Sequence, residues 1–215
     1  MNICTLDFET AYSQTYSLSK MTTQQYLDSP LFEVIGVAMK MNYEDTISCS
    51  GDKKAIADFL RTVDWSKTAL CAHNAMFDAG ILNWHFGISP MLILDTLSMA
   101  RAVHGVEVGG SLAKLAVHYG VGEKGTEVID AKGKWRKDFT DEDLAKYMAY
   151  CRNDVDLTRK IFMHLAPNFE RTEIKLIDMT IRMFTTPQLE LDIQVLEDHL
   201  QEVRSEEHTS ELQSH

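Results

Sequence analysis

The stretch that decides the fold lies at the N-terminus, where residues 1–10 read Met-Asn-Ile-Cys-Thr-Leu-Asp-Phe-Glu-Thr. Residues Asn2–Phe8 form a short apolar run that is typical of a buried strand. Asp7 and Glu9 stand two apart at its end, and since side chains alternate along a strand, both should lie on one face. Two carboxylates held together repel each other unless a cation lies between them, and their hard oxygen ligands favour Mg²⁺ or Mn²⁺. The alternative for such a pair is a solvated strand end.

The rest of the chain supplies the elements that would surround this first strand. Further strands are predicted over four runs: Phe32–Lys40, Glu44–Ser50, Thr68–His73 and Met91–Leu94. Helices are predicted after Asp52, over Met76–Phe86, from Asp95 or Thr96 through Val103, over Ser111–Tyr119, from Thr140 to about His164, and over 174–184. Residues 189–192 alternate like one more strand. Strands close in sequence, followed by strands that alternate with helices, predict an α/β fold with a mixed sheet.

Composition and charge exclude several classes of protein. The 215 residues are 45% hydrophobic and 25% charged, which is typical of a globular chain and not of a disordered one. No stretch approaches the roughly 20 apolar residues of a membrane span. The four cysteines form no C-x-x-C pair, so we expect reduced thiols in a cytoplasmic protein. The net charge of −11 counts against a broad basic surface for nucleic acid, although a metal-binding carboxylate cluster would contribute to the same excess.

The C-terminal residues 204–215 read R-S-E-E-H-T-S-E-L-Q-S-H and show no apolar periodicity. They match a translated short-read sequencing adapter, whose codons encode the first eleven of these residues in order. The segment contains one arginine and three glutamates, a net charge of −2, which leaves −9 for residues 1–203. We interpret 204–215 as an artefact and expect the natural chain to continue beyond residue 203.

A second acidic motif follows the strand predicted over Thr68–His73. Residues 73–78 read H-N-A-M-F-D, so that the chain passes from a buried strand into a helix whose first turn carries Asp78. The alternative reading is that Asp78 interacts favourably with the helix dipole and does nothing more.

The third acidic motif lies in the long helix, where residues 150–154 read Y-C-R-N-D. Tyr150 and Asp154 are four residues apart and therefore share one helix face. Asp154 lies among core-type positions, where a lone carboxylate is energetically costly. The alternative is an exposed aspartate paired with Arg159 or Lys160.

In this order, and together with Leu94-Asp95-Thr96-Leu97, the motifs resemble the DEDD superfamily of 3′–5′ exonucleases in its tyrosine-bearing (DEDDy) form. The likeness covers roughly residues 1–165 and is greatest to the proofreading domain of a phage-type family A DNA polymerase. The histidine branch of the superfamily has its histidine five residues before the last aspartate, where this chain has Ala149. Residues 166–203 look, more weakly, like the helical start of a truncated polymerase domain, and polymerase activity would require a further C-terminal part.

The resemblance implies a ribonuclease-H-like fold, with a mixed five-stranded sheet flanked by helices and two divalent metal ions, Mg²⁺ or Mn²⁺. By resemblance, Asp7 would bridge both ions, Glu9 and Asp154 would hold the first, and Asp78 would support the second. Tyr150 would orient the attacking water and the scissile phosphate, because an unperturbed pKa of about 10 makes tyrosine a poor base. The expected reaction is hydrolysis of the terminal phosphodiester bond, which releases a deoxynucleoside 5′-monophosphate.

The expected partner is the single-stranded 3′ end of DNA. Thr10, His73, Asn74 and Phe77 are candidates for holding the terminal nucleotides, with packing or capping as the alternative. The segment 114–137 carries six basic residues and is a candidate for contacting the nucleic-acid backbone, with a solvated loop as the alternative. Two other functions stay open: a free-standing DEDDy exoribonuclease, and a non-catalytic module that binds nucleic acid.

Overall fold

The computed structural model of the chain describes residues 1–125, 131–187 and 190–213, with side chains through residue 206. Its sheet has five strands: β1 (Asn2–Thr10), β2 (Val34–Met41), β3 (Ile47–Ser50), β4 (Thr68–Ala72) and β5 (Leu92–Asp95). They lie in the order β3-β2-β1-β4-β5, in which β1, β2 and β3 pair antiparallel while β4 and β5 pair parallel to β1. The predicted α/β fold with a mixed five-stranded sheet is confirmed.

Eight α-helices occur in the described residues: α1 (Thr23–Leu27), α2 (Lys53–Leu60), α3 (Ala75–Gly80), α4 (Thr96–His104), α5 (Leu112–Tyr119), α6 (Asp141–Leu165), α7 (Arg171–Thr185) and α8 (Ile193–Gln213). The side chains of Asp52, Ser111 and Thr140 cap α2, α5 and α6, as the N-terminal signals in the sequence predict. No helix in the described residues is long and apolar enough to cross a membrane.

Four details of the predicted elements are wrong. The single helix predicted over Met76–Phe86 is α3 followed by a π-helical turn, Ile81–His85. Helix α1 was not predicted, because a five-residue helix is too short to show an apolar period. Of the strand predicted over 189–192, residues 190–192 are irregular and Leu189 lies outside the described residues. The helical pattern does not stop near residue 203, since α8 continues to Gln213 through glutamate, leucine and glutamine, which favour helix.

The two faces of β1 have different neighbours. Leu6 and Phe8 point into the larger apolar core with α2 and α3, whereas Asp7 and Glu9 point towards α6. The Met148 side chain of α6 packs over Gly36 of β2, which pairs with Glu9, and a Cβ atom at Gly36 would require that side chain to move. Helix α6 lies against both β1 and β2.

Helix α7 packs against β5 and α3. Asp178 accepts a hydrogen bond from the Ile93 backbone amide at 2.8 Å and pairs with Arg182 at 2.9 Å. The Trp84 indole donates to the Thr185 carbonyl at 2.9 Å, and Ile181 is 4% exposed. These contacts attach α7 to the same core as the sheet.

Candidate functional site

The carboxyl end of β1 holds two of the predicted acidic residues. Asp7 and Glu9 are half-buried on the face that α6 covers, as the period of two predicts. One ligand atom of each lies within 4.8 Å of the other and of the Cys151 sulfur. The register of β1 and β2 shifts between Glu9 and Thr10, and such irregularities re-aim side chains at strand ends.

Asp78 reaches the same place from α3. Its side chain is 2% exposed, and its Oδ1 accepts a hydrogen bond of 3.1 Å from the Phe8 backbone amide, between Asp7 and Glu9. This amide is accessible because β1 pairs with β4 only as far as Thr5. The carboxylate therefore completes the backbone hydrogen bonding of β1 while its charge stays next to Asp7.

Helix α6 brings the third group. Tyr150 and Asp154 are 6% and 4% exposed, and the charge of Asp154 adds to the burial that raises the pKa of Tyr150. Asp154 Oδ2 lies 2.6 Å from Nζ of Lys124, whereas its Oδ1 is buried without a hydrogen-bond partner among the described residues. The alternative pairing of Asp154 with Arg159 or Lys160 is wrong, because Asp154 is buried and faces Lys124.

All four carboxyl groups have raised pKa values, and burial is the largest cause for each. Burial raises the pKa of Asp7 to about 7, and the nearby Asp154 adds to the effect. Burial, and next the charge of Asp7, hold the pKa values of Glu9 and Asp78 well above their usual range. Burial raises the pKa of Asp154 as well, against the opposing charge of Lys124. The pocket therefore resists the presence of four negative charges unless a cation is added.

Three residues of this pocket were not predicted as site residues. Lys124 was predicted only as part of a basic segment, yet its ammonium lies in the acidic pocket, 5.2 Å from the Tyr150 ring centroid. Tyr147 is 4% exposed, and burial, followed by the charge of Glu9, raises its pKa. The thiol of Cys151 lies 3.4 Å from the Asp7 carbonyl oxygen and 3.6 Å from Asp7 Oδ2. Helical spacing could have identified Tyr147 and Cys151, which share a face with Tyr150 and Asp154.

The predicted nucleotide contacts lie near the pocket, but two of them are engaged by the protein. The Thr10 hydroxyl is 2.8 Å from the Tyr26 hydroxyl. His73 is bound through both ring nitrogens, at 2.9 Å from the Thr96 hydroxyl and 2.9 Å from the Gly110 carbonyl, and burial lowers its pKa. These two side chains fix the local structure, and a role towards substrate stays a prediction.

The other two candidates are more accessible. Asn74 is exposed and adopts a left-handed backbone conformation (φ 67°) at the start of α3. Phe77 is half-buried, with its ring centroid 5.9 Å from that of Tyr26. Both lie within one turn of Asp78 along the chain, so a nucleotide near Asp78 would be within their reach.

A further buried carboxylate, that of Asp95, holds together two helix starts near the pocket. Asp95, at the end of β5, is 4% exposed and accepts hydrogen bonds from the amides of Asn74 (2.8 Å), Ala75 (3.1 Å), Leu97 (3.1 Å) and Ser98 (3.2 Å). It therefore joins the start of α3, which carries Asp78, to the start of α4. The sequence indicated Asp95 as a possible helix start and as part of the Leu94–Leu97 motif of the family resemblance, but not as the residue that joins α3 to α4.

The basic residues of the segment 114–137 have different surroundings. Lys124 faces the acidic pocket, Lys134 lies 4.0 Å from Asp143, and Lys114, Lys132 and Lys137 are exposed. Residues 126–130 of this segment lie outside the described residues. Contact with a nucleic-acid backbone stays a prediction.

The pocket fits divalent metal. Its donors are carboxylate oxygens, which Mg²⁺ and Mn²⁺ prefer, and Asp154 Oδ1 has no hydrogen-bond partner among the described residues. Asp7, Glu9, Asp78 and Asp154 are the residues that would hold such ions. All four cysteines are free thiols, as expected, which leaves the structure without disulfides.

Comparison with solved structures shows the fold. The chain is similar to NrnC of Brucella melitensis (TM-score 0.61, 15% identity, 86% of this chain and 82% of that one). It is also similar to RNase D of Trypanosoma brucei in complex with RNA U12 (TM-score 0.63, 12% identity, 88% and 65%). A family B DNA polymerase of Pyrobaculum calidifontis matches with TM-score 0.57 and 14% identity over 78% of this chain and 25% of that one. These likenesses confirm the ribonuclease-H-like fold.

Sequence comparison identifies the family to which the chain belongs. No curated protein sequence matches it significantly. A family model described as 3′–5′ exonuclease, however, matches residues 4–170, a span that includes every acidic residue of the pocket. The chain therefore belongs to this family of 3′–5′ exonucleases.

Proposed function

We propose that this protein is a metal-dependent 3′–5′ exonuclease that hydrolyses terminal phosphodiester bonds of DNA with two divalent ions, Mg²⁺ or Mn²⁺. The observation that carries the proposal is the convergence of Asp7, Glu9, Asp78 and Asp154. They come from three distant segments of the chain, and each has a raised pKa. A solved structure of B. melitensis NrnC contains bound Mg²⁺, which supports the choice of metal.

Each acidic residue has a proposed task. By the resemblance, Asp7 would help to hold both ions, Glu9 and Asp154 would hold the first, and Asp78 would support the second. When bound, the ions lower the pKa of a water molecule and stabilise the charge on the attacking and leaving oxygens. The protein's own contribution is to hold these ligands on β1, α3 and α6, so that the site needs little reorganisation.

Tyr150 orients water and phosphate and does not act as a base. Burial raises its pKa above the usual 10, with the charge of Asp154 adding to the effect, so the phenol stays protonated at neutral pH. A protonated phenol can donate a hydrogen bond to a water or to a phosphate oxygen in the pocket.

DNA is the substrate we propose, as part of a DNA polymerase that proofreads. The matching family is named for the exonuclease of A-type DNA polymerases, and a family B polymerase is among the structural neighbours. The second candidate is RNA, because NrnC and RNase D resemble the chain over a larger share of their own length. The residues that would hold a terminal nucleotide are Thr10, His73, Asn74 and Phe77.

The proposal is tested by incubating the full chain with labelled single-stranded DNA and RNA of identical sequence, with Mg²⁺ or with EDTA. We expect Mg²⁺-dependent release of mononucleotides from the 3′ end, faster from DNA. Asp7→Ala and Asp154→Asn should each slow release by at least about 100-fold, since metal ligation contributes several kcal/mol to such reactions.

Asp156→Asn is the matched control. Asp156 lies two residues from Asp154 on the same helix, but it pairs with Lys40 and the Thr46 hydroxyl outside the pocket. This variant should keep the wild-type rate. Equal digestion by wild type and Asp7→Ala would refute the assigned site, faster digestion of RNA would favour the exoribonuclease, and binding without digestion would favour a non-catalytic module.

A further inference from the structure

A cleft with a cavity volume of about 440 Å³ lies outside the acidic pocket, where the residues before β2 meet the start of α2 and the end of the π-helical turn. Its lining is mainly apolar and aromatic, and includes Pro30, Val34 and the half-buried rings of Phe32, His85 and Phe86. Ligand sites in proteins typically have volumes of about 300–1,000 Å³ and walls of this kind. The cleft therefore has the size and lining of a binding site, and none of the proposed catalytic residues lines it.

We propose that this cleft holds a base of the single-stranded DNA substrate, upstream of the 3′-terminal nucleotide, while residues 131–138, the basic arm, contact the phosphates in between. The inference deepens the proposed exonuclease function and rests on it for the direction in which the strand runs. Binding of the strand by the cleft and the basic arm needs no metal ion, so it can be measured apart from catalysis.

A series of ring contacts shows how close the cleft lies to the catalytic pocket. The ring centroid of Phe77, one residue before Asp78, lies 5.9 Å from that of Tyr26. The Tyr26 ring lies 6.0 Å from Phe32, which stacks on His85 at 4.2 Å. A strand with its 3′ end beside Asp78 therefore reaches the cleft within its next few nucleotides.

The basic arm begins beside the catalytic pocket. The Gly133 amide donates a hydrogen bond of 2.7 Å to the carbonyl of Tyr12, three residues after Glu9. Burial raises the pKa of Tyr12, and the charge of Glu9 adds to the effect, so this phenol lies near the catalytic carboxylates.

The other end of the basic arm forms part of the rim of the cleft. The Trp135 indole donates to the Leu31 carbonyl at 3.3 Å, and the Arg136 amide donates to the Glu33 carboxylate at 3.2 Å. Glu33 lines the cleft. The basic arm therefore spans the way from the catalytic pocket to the cleft.

Charge along this path favours a polyanion. Four of the eight residues in the basic arm are lysine or arginine and one is acidic, a net charge of +3 in a chain whose total is −11. Lys132 and Lys137 of the arm are exposed and can contact phosphates. The carboxylates that line the cleft, Glu33 and Asp52, each accept a hydrogen bond from a backbone amide. The phosphates thus lie on the arm, and the uncharged base enters the cleft.

The rings of the cleft suit a base of any sequence, because stacking on an aromatic side chain tolerates every base. Phe86 also stacks on Phe8, with 6.1 Å between the ring centroids and 3° between the planes. Phe8 lies between Asp7 and Glu9, so a base against Phe86 would abut the strand that carries both.

The experiment measures binding of the full chain to fluorescein-labelled single-stranded DNA of about 10 nucleotides, a usual length for such sites, by fluorescence anisotropy in EDTA. Phe86→Leu and His85→Leu keep apolar bulk but remove a ring, and each should weaken binding about 5- to 50-fold. The double variant Lys132→Ser/Lys137→Ser should reduce the slope of log Kd against log salt concentration by about 1.4, since each phosphate contact contributes about 0.7.

Tyr43→Ala and Lys175→Ser are the matched controls. Tyr43 is 83% exposed between β2 and β3, Lys175 is exposed on α7, and neither lines the cleft. Both variants should bind as tightly as wild type, and circular dichroism confirms that every variant is folded.

Strands that lack one base at a time locate the bound base. The loss of wild-type binding should be greatest at one position upstream of the terminal nucleotide. At that position Phe86→Leu should add no further loss, because the ring and the base act as a pair.

The results separate this inference from the proposed function. Folded Phe86→Leu and His85→Leu variants that bind DNA like wild type overturn the inference, as does a base-removal effect that is the same in wild type and Phe86→Leu. If such a chain still digests DNA with Mg²⁺, the exonuclease proposal survives. Cleft-dependent binding by a chain that digests neither DNA nor RNA supports the strand path and refutes the exonuclease proposal.

Discussion

Two buried aspartates, Asp95 at the end of β5 and Asp154 on α6, illustrate opposite ways of placing a carboxylate inside this protein. Asp95, after β5, accepts four backbone amide hydrogen bonds and a fifth, of 2.6 Å, from the Ser98 hydroxyl. Asp154, facing the end of β1, has one oxygen bound by Lys124 and one without a partner among the described residues. The two side chains are equally inaccessible, with 4% exposure each.

The difference shows that burial alone does not decide whether a carboxylate stabilises the fold. A carboxylate that the backbone surrounds with donors stabilises the fold, and no cation is needed to balance its charge. A carboxylate that is buried beside other carboxylates destabilises the protein until a cation arrives. Position at a strand end therefore does not distinguish a structural aspartate from a metal-binding one, but the number of donors around it does.

The largest effect that would test this comparison is on stability. Asp95→Ala removes the acceptor for amides at the starts of α3 and α4, so we expect unfolding free energy to fall by about 2–4 kcal/mol. Asp7→Asn removes a charge from a repelling group and should leave the metal-free protein as stable as wild type or more stable. Urea denaturation in EDTA measures both changes.

An Asp95→Ala variant as stable as wild type would refute the structural assignment of Asp95. The exonuclease rate of the variant, measured where it is fully folded, provides a second test. Because Asp95 holds the start of α3, the rate should fall through misplacement of Asp78 even though Asp95 touches no substrate.

The sequence predicted the position of Asp154 better than it predicted the hydrogen-bond donors around Asp95. The period of two in β1 and the spacing of four in α6 placed Asp7, Glu9, Tyr150 and Asp154 correctly, because both spacings are fixed by backbone geometry. The donors around Asp95 come from residues 74 and 75 as well as its own helix, and such a contact between loops has no periodic signal.

Lys124 shows the same limit more clearly. Its sequence position, 30 residues before Asp154, carries no information about the path of the chain after α5. Only the folded structure shows that its ammonium approaches Asp154. Helix α8 teaches a related lesson, since the absence of apolar periodicity beyond residue 203 did not prevent a helix from continuing.

The next effect in size concerns Tyr150, whose buried phenol lies on the same face of α6 as Asp154. Tyr150→Phe removes the hydroxyl but keeps the ring. We expect mononucleotide release to slow by about 10- to 100-fold, the loss of one oriented hydrogen bond in the transition state. The Mg²⁺ concentration for half-maximal rate should stay nearly unchanged, because the four carboxylates remain.

A Mg²⁺ titration of the rate separates the two possible roles of Tyr150. If Tyr150→Phe needs far more Mg²⁺ and then recovers the wild-type rate, Tyr150 serves metal binding and not the orientation of water. Tyr147→Phe is the matched comparison, since Tyr147 is a second buried tyrosine one turn away on the same face of α6.

The smallest effect is the dependence of metal-free stability on pH, and its sign follows from Asp7. Burial raises the pKa of Asp7 from 3.8 to about 7, so the folded state holds a proton that the unfolded state has released between these values. The stabilisation by that proton is fully present below the unfolded pKa and is lost as pH rises through about 7. In EDTA, the melting temperature should therefore fall by a few degrees between pH 5 and 8, at about 2–4 °C per kcal/mol for a chain of this size. Asp7→Asn should reduce this fall, and Mg²⁺ should raise the melting temperature more at pH 8 than at pH 5, because protons compete with the metal for the same oxygens.

An equal fall in wild type and Asp7→Asn would mean that the carboxylates at the end of β1 do not repel each other enough to matter, and the contrast with Asp95 would then lose its energetic basis.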